Sequence, residues 1–215
     1  ANFTINKVNL TATSVSEKIY GDALGTLPIQ YTGFVNGEDA SVIDTPPTAV
    51  TGVTIDGTTP AGGPYVVNVT GGSDNNYIIV TNNGTLTVTK RVLSATIDNK
   101  TKVYGEANPT FTMQYSNFVN GDNESNITQN ITLGAYEVGS TLVSITTGIG
   151  DYFITNLPGQ FIADNYFLQI TNLGVAKLTI TKRAVEVTTD AGQTKVFGET
   201  DPIYTYGVTN GTLVN

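Results

Sequence analysis

The sequence predicts an all-β chain built of tandem small β-sandwich-like domains, end to end. Three observations carry this. One stretch recurs at long spacing, apolar and polar residues alternate in short runs bounded by Gly, Pro and Asn, and no amphipathic helix longer than two turns can be drawn. The recurring stretch is Lys18-Ile19-Tyr20-Gly21-Asp22 followed by Phe34-Val35-Asn36-Gly37-Glu38. It returns as Lys102-Val103-Tyr104-Gly105-Glu106 with Phe118-Val119-Asn120-Gly121-Asp122, and begins again at Lys195-Val196-Phe197-Gly198-Glu199. Tyr20 and Tyr104 are 84 residues apart, and Tyr104 and Phe197 are 93 apart. A period this long describes whole domains in series.

Composition agrees. In 215 residues there are 23 Gly and frequent Val, Thr and Asn, the residues of strands and turns. A net charge of −8 with only 13% charged residues argues against nucleic acid or an anionic membrane as a partner. There is no Cys, so no disulfide framework or thiolate chemistry is available, and no apolar run approaches the ~18 residues of a membrane helix. With no His either, Ser-His and Cys-His nucleophile systems and His-ligated zinc are excluded. Nothing marks a carboxylate pair for glycoside hydrolysis, and the expectation is no enzyme, no cofactor and no catalytic, cofactor-binding or metal residues.

The alternation places the repeats. Phe3 and Ile5 are apolar at odd positions, whereas Val8, Leu10 and Ala12 are apolar at even ones. The phase changes again between Leu86-Val88 and Leu93-Ala95-Ile97, and between Leu178-Ile180 and Val185-Val187. A one-residue change of phase turns a strand's buried side to the opposite face. It follows the same Lys each time, so it reads as the end of one core and the start of another rather than as a bulge. The expected organisation is 1–7 as the last strand of a preceding repeat, 8–90 and 91–182 as complete repeats, and 183–215 as a partial third. No Gly/Ser-rich or Pro-rich spacer separates them, which predicts a semi-rigid rod.

Within 8–90 the first strand is Val8–Ser14, then come a turn at Tyr20-Gly21-Asp22 and a strand over Leu27–Tyr31. Asn-Gly at 36–37 readily takes positive φ. The Asn-Gly-acid-x-x-Ser-x-Ile runs at Asn36–Ile43 and Asn120–Ile127 allow one or two turns of helix, which leaves a β-grasp-like sheet with one short helix per repeat as the alternative fold. Val50–Ile55, Tyr65–Val69, Tyr77–Thr81 and Thr85–Thr89 read as further strands. In 91–182 the strands are Leu93–Ile97, Thr110–Tyr115, Ile131–Tyr136, Thr141–Thr146, Tyr152–Thr155, Tyr166–Thr171 and Ala176–Thr181. The last two strands of each repeat flank Asn82-Asn83-Gly84 or Asn172-Leu173-Gly174 and read as a closing hairpin.

Tyr-Gly-acid, Pro, an aromatic-rich strand, Gly-Phe-Val-Asn-Gly-acid and a closing Asn-Tyr segment together resemble the MBG domain ("mostly beta, glycine-rich"), YGX type. The resemblance covers both complete repeats and the start of the third. Its most specific part is Tyr104-Gly105-Glu106-Ala107-Asn108-Pro109 with Phe118–Asp122. Pro28 lies three residues later in the first repeat, Asn117 replaces Gly33 in the second, and the third has Phe197 for Tyr and Val208 near the Phe position. The resemblance implies tandem modules of large bacterial cell-surface or secreted adhesin-like proteins, extracellular and without enzymatic activity. It carries over no binding residues.

Candidate features have bland counterparts. Tyr104-Gly105-Glu106 suits a sugar surface, but a repeated motif in a repeated fold is most simply a packed Tyr and a permissive Gly turn. Asp22, Glu38, Asp39, Asp122 and Glu124 are oxygen donors of the kind Ca²⁺ takes, yet lack calcium-loop spacing. Asn68-Val69-Thr70 and Asn126-Ile127-Thr128 are sequons that arise by chance in so Asn- and Thr-rich a chain. Lys90-Arg91 and Lys182-Arg183 either pair with acids of the next domain or are solvated. The expected function is a structural stalk segment of a surface adhesin, with neighbouring repeats of the same chain as partners and no nucleic acid or membrane insertion. The alternative is a repeat that itself binds glycan or a surface protein through avidity. A binding module should carry the same exposed aromatic patch on both repeats. The apolar residues Val185, Val187, Ile203 and Tyr204 need cover, which predicts that 183–215 folds only in part or is completed by Phe3–Lys7 of another copy.

Overall fold

A computed structural model describes residues 2–138 and 141–213. The strands, in chain order, are β1 (Val8–Thr13), β2 (Val15–Ile19), β3 (Gln30–Thr32), β4 (Thr48–Thr51), β5 (Gly62–Thr70), β6 (Tyr77–Thr81), β7 (Gly84–Thr89), β8 (Arg91–Ile97) and β9 (Lys100–Val103). They continue as β10 (Met113–Ser116), β11 (Ile127–Gln129), β12 (Leu133–Tyr136), β13 (Gly150–Asn156), β14 (Ile162–Ala163), β15 (Tyr166–Ile170), β16 (Lys177–Thr181), β17 (Glu186–Thr189) and β18 (Tyr206–Asn210). The chain is all-β, as expected. The helix of the alternative fold is a single 3-10 turn, Ala40–Val42 or Glu124–Asn126, capped by Asp39 or Asn123. These side chains accept from backbone N–H groups that a longer helix would leave at its start.

Two compact units are present, Ala1–Leu93 with Ser116–Asn130 and Phe161–Gln169, and Ser94–Tyr115 with Ile131–Gln160 and Ile170–Asn215. In the first unit, one sheet runs β3-β1-β6 and another β2-β7-β5-β4, with the short pair β11-β14 beside them. β1 and β2 are nearly one strand, and they lie in different sheets. The sequence reading had missed β2, because the buried side of Val15–Ile19 includes Lys18, a polar residue at a core position.

The expected closing hairpin is not a hairpin. β6 pairs parallel with β1 (Leu10 opposite Ile79), whereas β7 pairs parallel with β2 (Lys18 opposite Val88) and antiparallel with β5. Asn82-Asn83 carries the chain from one sheet to the other. Gly84 is needed there for space rather than for a hairpin turn, since a Cβ on it would sit 1.7 Å from the Ser14 carbonyl oxygen. Two clusters fill this unit: Leu10, Ile43 and Tyr77, and Ile55, Val67 and Leu86.

The second unit contains the sheet β12-β13-β16-β9, again with β16 parallel to β9 (Ile180 opposite Lys102) and antiparallel to β13. Ile97, Val143, Ile154, Leu178 and Ile180 form its core, each burial worth about 1.5–3 kcal/mol. The strands β10-β8-β15 form a sheet equivalent in order to β3-β1-β6. β15 and β16 are likewise in different sheets, so the second expected hairpin is also absent. Of the strand expected at Thr141–Thr146, the structure has only a bridge between Leu142 and Tyr136. β17 and β18 form a two-stranded sheet in which Val187, Tyr206 and Val208 stay exposed. Residues 2–7 carry no strand pairing among the described residues.

One equivalence inferred from sequence is corrected. Val208 does not correspond to the Phe position. A Cβ on Gly33 would meet the Asn9 carbonyl oxygen at 2.8 Å, and one on Gly211 the Ala184 carbonyl oxygen at 2.6 Å. Asn9 lies two residues after Lys7 and Ala184 two after Lys182, so Gly211 takes the place of Gly33.

Candidate functional site

The recurring Lys-x-Tyr-Gly-acid stretch is a docking turn, and in the first unit it is fully engaged. β2 delivers Tyr20 into the core side, 4% exposed, and Gly21 turns the chain at φ +89°. The Tyr20 hydroxyl donates to Asp122 Oδ2 at 2.9 Å. The Tyr166 hydroxyl donates to the same oxygen at 2.7 Å and accepts from the Val119 N–H at 3.1 Å. The Tyr20 and Tyr166 rings meet edge-on at 5.6 Å, an arrangement worth about 0.5–1.5 kcal/mol beyond area burial. Burial foremost, with the Asp122 carboxylate beside it, pushes the Tyr166 hydroxyl from 10.0 up to about 12.

Arg91 completes the clasp. Its Nε donates to the Tyr20 carbonyl at 2.8 Å and its Nη2 pairs with Asp22. The ion pair is partly exposed, so it contributes about 0–1 kcal/mol, and the carbonyl bond adds direction. Lys90 Nζ reaches the Ala163 carbonyl at 2.7 Å, Asn120 Nδ2 the Gly57 carbonyl at 2.9 Å, and Asn165 Oδ1 accepts from the Ala61 N–H at 2.9 Å. Val119 lies so close that a Cβ on Gly21 would be 2.4 Å from its Cγ2. The glycine is therefore needed twice, for its positive φ and for space.

The second unit repeats part of this. Arg183 Nε donates to the Tyr104 carbonyl at 2.8 Å, and Gly105 turns at φ +84°. Tyr104, half-buried, faces an open pocket lined by Ile149, Lys182, Arg183, Val185, Thr212 and Leu213. The turn itself is stapled by its lysine. Lys102, 4% exposed, donates to the Glu106 carbonyl at 3.1 Å, Asn108 Oδ1 at 2.8 Å and the Ser144 carbonyl at 2.6 Å, which uses all three of its protons. Desolvation holds its pKa below the ordinary lysine value. Lys195 repeats two of these bonds, to the Glu199 carbonyl and Asp201 Oδ1. Lys18 has Leu24 at the equivalent of Asn108 and donates to the Ile19 carbonyl at 3.4 Å.

The expected oxygen donors are therefore spent on structure. Asp22 meets Arg91, Glu38 accepts from the Tyr77 hydroxyl, Asp39 accepts from the Ser41 N–H, and Asp122 serves two tyrosines. Glu124 begins a 3-10 turn. Among the described residues no three His, Cys, Asp or Glu side chains gather as a metal site. Asn126 of the second sequon closes a capping box on Asn123. Lys90-Arg91 was expected either to pair with acids of the next domain or to be solvated; Arg91 meets the acid of the preceding turn instead. The parts that sequence reasoning missed are Tyr166, Asn165 and the buried lysines. Their signal was recurrence: Asn-Tyr at 76–77 and 165–166, and Lys two residues before each Tyr or Phe.

An open groove in the second unit is lined by Tyr136, Tyr152, Phe153, Glu137, Asp151 and Asn156. Lys177 lies 5.9 Å from the Phe153 ring centre and 3.2 Å from Asp151. In the first unit, the corresponding pair β4–β5 carries Tyr65 as its single aromatic residue. The aromatic patch is not shared by the two repeats.

Among the described residues no helix is long and apolar enough to cross a membrane. Comparison with curated proteins finds no relative, and comparison with solved structures finds no match. The family described as MBG domain (YGX type) matches residues 8–87 and again residues 93–173. With both matches carrying the docking turn, at Tyr20 and at Tyr104, the chain belongs to the MBG domain family, YGX type, as a tandem pair.

Proposed function

We propose that this chain is a non-catalytic stalk segment of a large bacterial surface adhesin, which holds a distal binding region away from the cell. Its modules run over 8–90 and 91–182, with 1–7 and 183–215 belonging to neighbouring modules. The observation that carries the reading is the repeated clasp, Arg91 on the Tyr20 carbonyl and Arg183 on the Tyr104 carbonyl, at two successive lysine-arginine boundaries. A contact reproduced between consecutive modules suits a rod whose joints resist bending, since each joint has a fixed hydrogen-bond geometry. The occurrence of MBG repeats in surface proteins supports an extracellular setting.

Small-angle scattering on the whole chain and on its Arg91→Ala/Asp122→Ala variant tests this. A single narrow distribution of dimensions that broadens in the variant is the expected result. A wild-type chain already as broad as the variant overturns it. Direct glycan binding through avidity needs the same aromatic surface on each repeat, and among the described residues the aromatic groove at Tyr136, Tyr152 and Phe153 has no counterpart on β4–β5. A glycan array that binds the chain would replace the stalk reading.

A further inference from the structure

We propose that each repeat is a shear clamp, which carries tension applied along the chain between its first and last residues. This rests on the stalk reading above and adds a load-bearing function to it. In a series of modules pulled lengthwise, force enters the first repeat at Val8 and leaves it at Lys90. β1 and β2 follow the point of entry, and β7 ends at Thr89, one residue before the exit. β2 and β7 are parallel neighbours, in register from Val15 opposite Thr85 to Ile19 opposite Thr89. Two backbone bonds bracket the pair, the Thr85 N–H on the Ser14 carbonyl and the Tyr20 N–H on the Thr89 carbonyl, both at 2.9 Å. The two strands run the same way and are pulled from opposite ends, so tension slides one along the other. The evenly spaced bonds of a parallel pair are then loaded together, whereas a pull across the strands at one end breaks them singly.

The second repeat has the same device. Force enters at Arg91 and leaves at Lys182, and β9 lies parallel to β16 from Lys100 opposite Leu178 to Val103 opposite Thr181. The Tyr104 N–H on the Thr181 carbonyl, at 2.9 Å, extends the pair by one bond. In both repeats the last strand is an interior one, β7 between β2 and β5, and β16 between β9 and β13. Sliding it breaks bonds on both of its sides. It also draws Leu86, Val88, Leu178 and Ile180, all buried, out of their cores. A slip of one residue would turn those side chains to the opposite face, so no neighbouring register catches the strand cheaply. The other sheet of the first repeat resists in the same sense, with β1 parallel to β6 from Val8 opposite Tyr77. The crossover at Asn82-Asn83 makes this arrangement possible. If β7 paired only with β6, as a hairpin, it would peel from its exit end bond by bond.

Single-molecule force spectroscopy on the full chain tests this, with one handle at each end. The comparison pull uses the N-terminal handle and Asn75→Cys, the only cysteine of that variant. Asn75 is exposed and precedes Asn76, whose carbonyl accepts from the Val8 N–H at 3.0 Å. Pulling there peels β1 from β6 at the first pair of the register. Both pulls act on the same fold, which an unchanged circular dichroism spectrum of the variant checks. End-to-end pulling should give two discrete steps of about 250 Å each, one per repeat. The force of each step should exceed that of the peel by about twofold or more, since forced unfolding follows the barrier along the direction of pulling. Equal forces in the two directions, or lengthening without discrete steps, overturns the clamp. Equal forces with a narrow scattering distribution leave the stalk reading standing without it. Two high-force steps in a chain whose scattering is already as broad as that of the Arg91→Ala/Asp122→Ala variant keep the clamp and remove the stiff joints.

Discussion

The Tyr20 turn and the Tyr104 turn have the same residues at their centre and different surroundings. Both present a carbonyl to an arginine Nε at 2.8 Å. At Tyr20 the phenol, the glycine and the acid are all engaged, by Asp122, Val119 and Arg91. At Tyr104 the ring packs on its own core and faces an open pocket beside Thr212 and Leu213. The local turn is therefore self-sufficient, made by its lysine and glycine. The clasp is added from outside, and how much it stabilises depends on what the following segment supplies.

Glycine substitutions should separate the two contributions most sharply. Gly21 and Gly198 have φ of +89° and +91°, but a Cβ on Gly198 meets nothing within 4 Å. Gly198→Ala should cost about 1 kcal/mol from backbone strain alone. Gly21→Ala adds the collision with Val119, for a total of about 2–4 kcal/mol. Urea unfolding followed by circular dichroism reads both, and equal losses would mean that Val119 yields freely.

The lysine staples come next. Lys102→Met leaves the carbonyls of Glu106 and Ser144 and the Asn108 side chain without their donor, and should cost about 1–3 kcal/mol. Lys195→Met, at an exposed turn, should cost about 0–1 kcal/mol. Thermal unfolding of the two variants checks the order.

The smallest effect is in pH. Tyr166 has its folded pKa raised to about 12 from 10.0, so its contribution is complete below pH 10 and is lost as pH rises from 10 through 12. Near pH 10.5 the loss is about 1 kcal/mol or less. Tyr166→Phe should flatten the decline of melting temperature above pH 10, and an equally steep decline in the variant would assign it to another group.

Much of the fold was legible in the chain. Tyr77–Thr81 forms over the expected residues, and the other expected strands that formed lie within a few positions of expectation, because alternation with period two survives whatever the strand pairs with, whereas β2, β9, β11, β14, β17 and β18 were not anticipated. Pairing itself was not legible. Asn82-Asn83-Gly84 reads as a hairpin turn, yet β6 and β7 part company there. A sandwich crossover and a hairpin both ask for small, turn-prone residues, and only the 1.7 Å approach to Ser14 separates them. The site was half legible. Recurrence pointed to Tyr20, Gly21, Asp22 and the lysine-arginine pairs, but Tyr166 is 146 residues from Tyr20 and nothing local joins them.

The sequence by itself determined the all-β class, the repeat period, the family and the turn that each module repeats. Those depend on side-chain periodicity, glycine's access to positive φ and residue identity, which are properties of short stretches. Only the tertiary structure decided that Lys102 is buried and stapled, that Asp122 serves two tyrosines, and that Arg91 reaches back to Tyr20. Those depend on which distant backbone comes within hydrogen-bond range of a side chain, and two turns with the same residues met different neighbours.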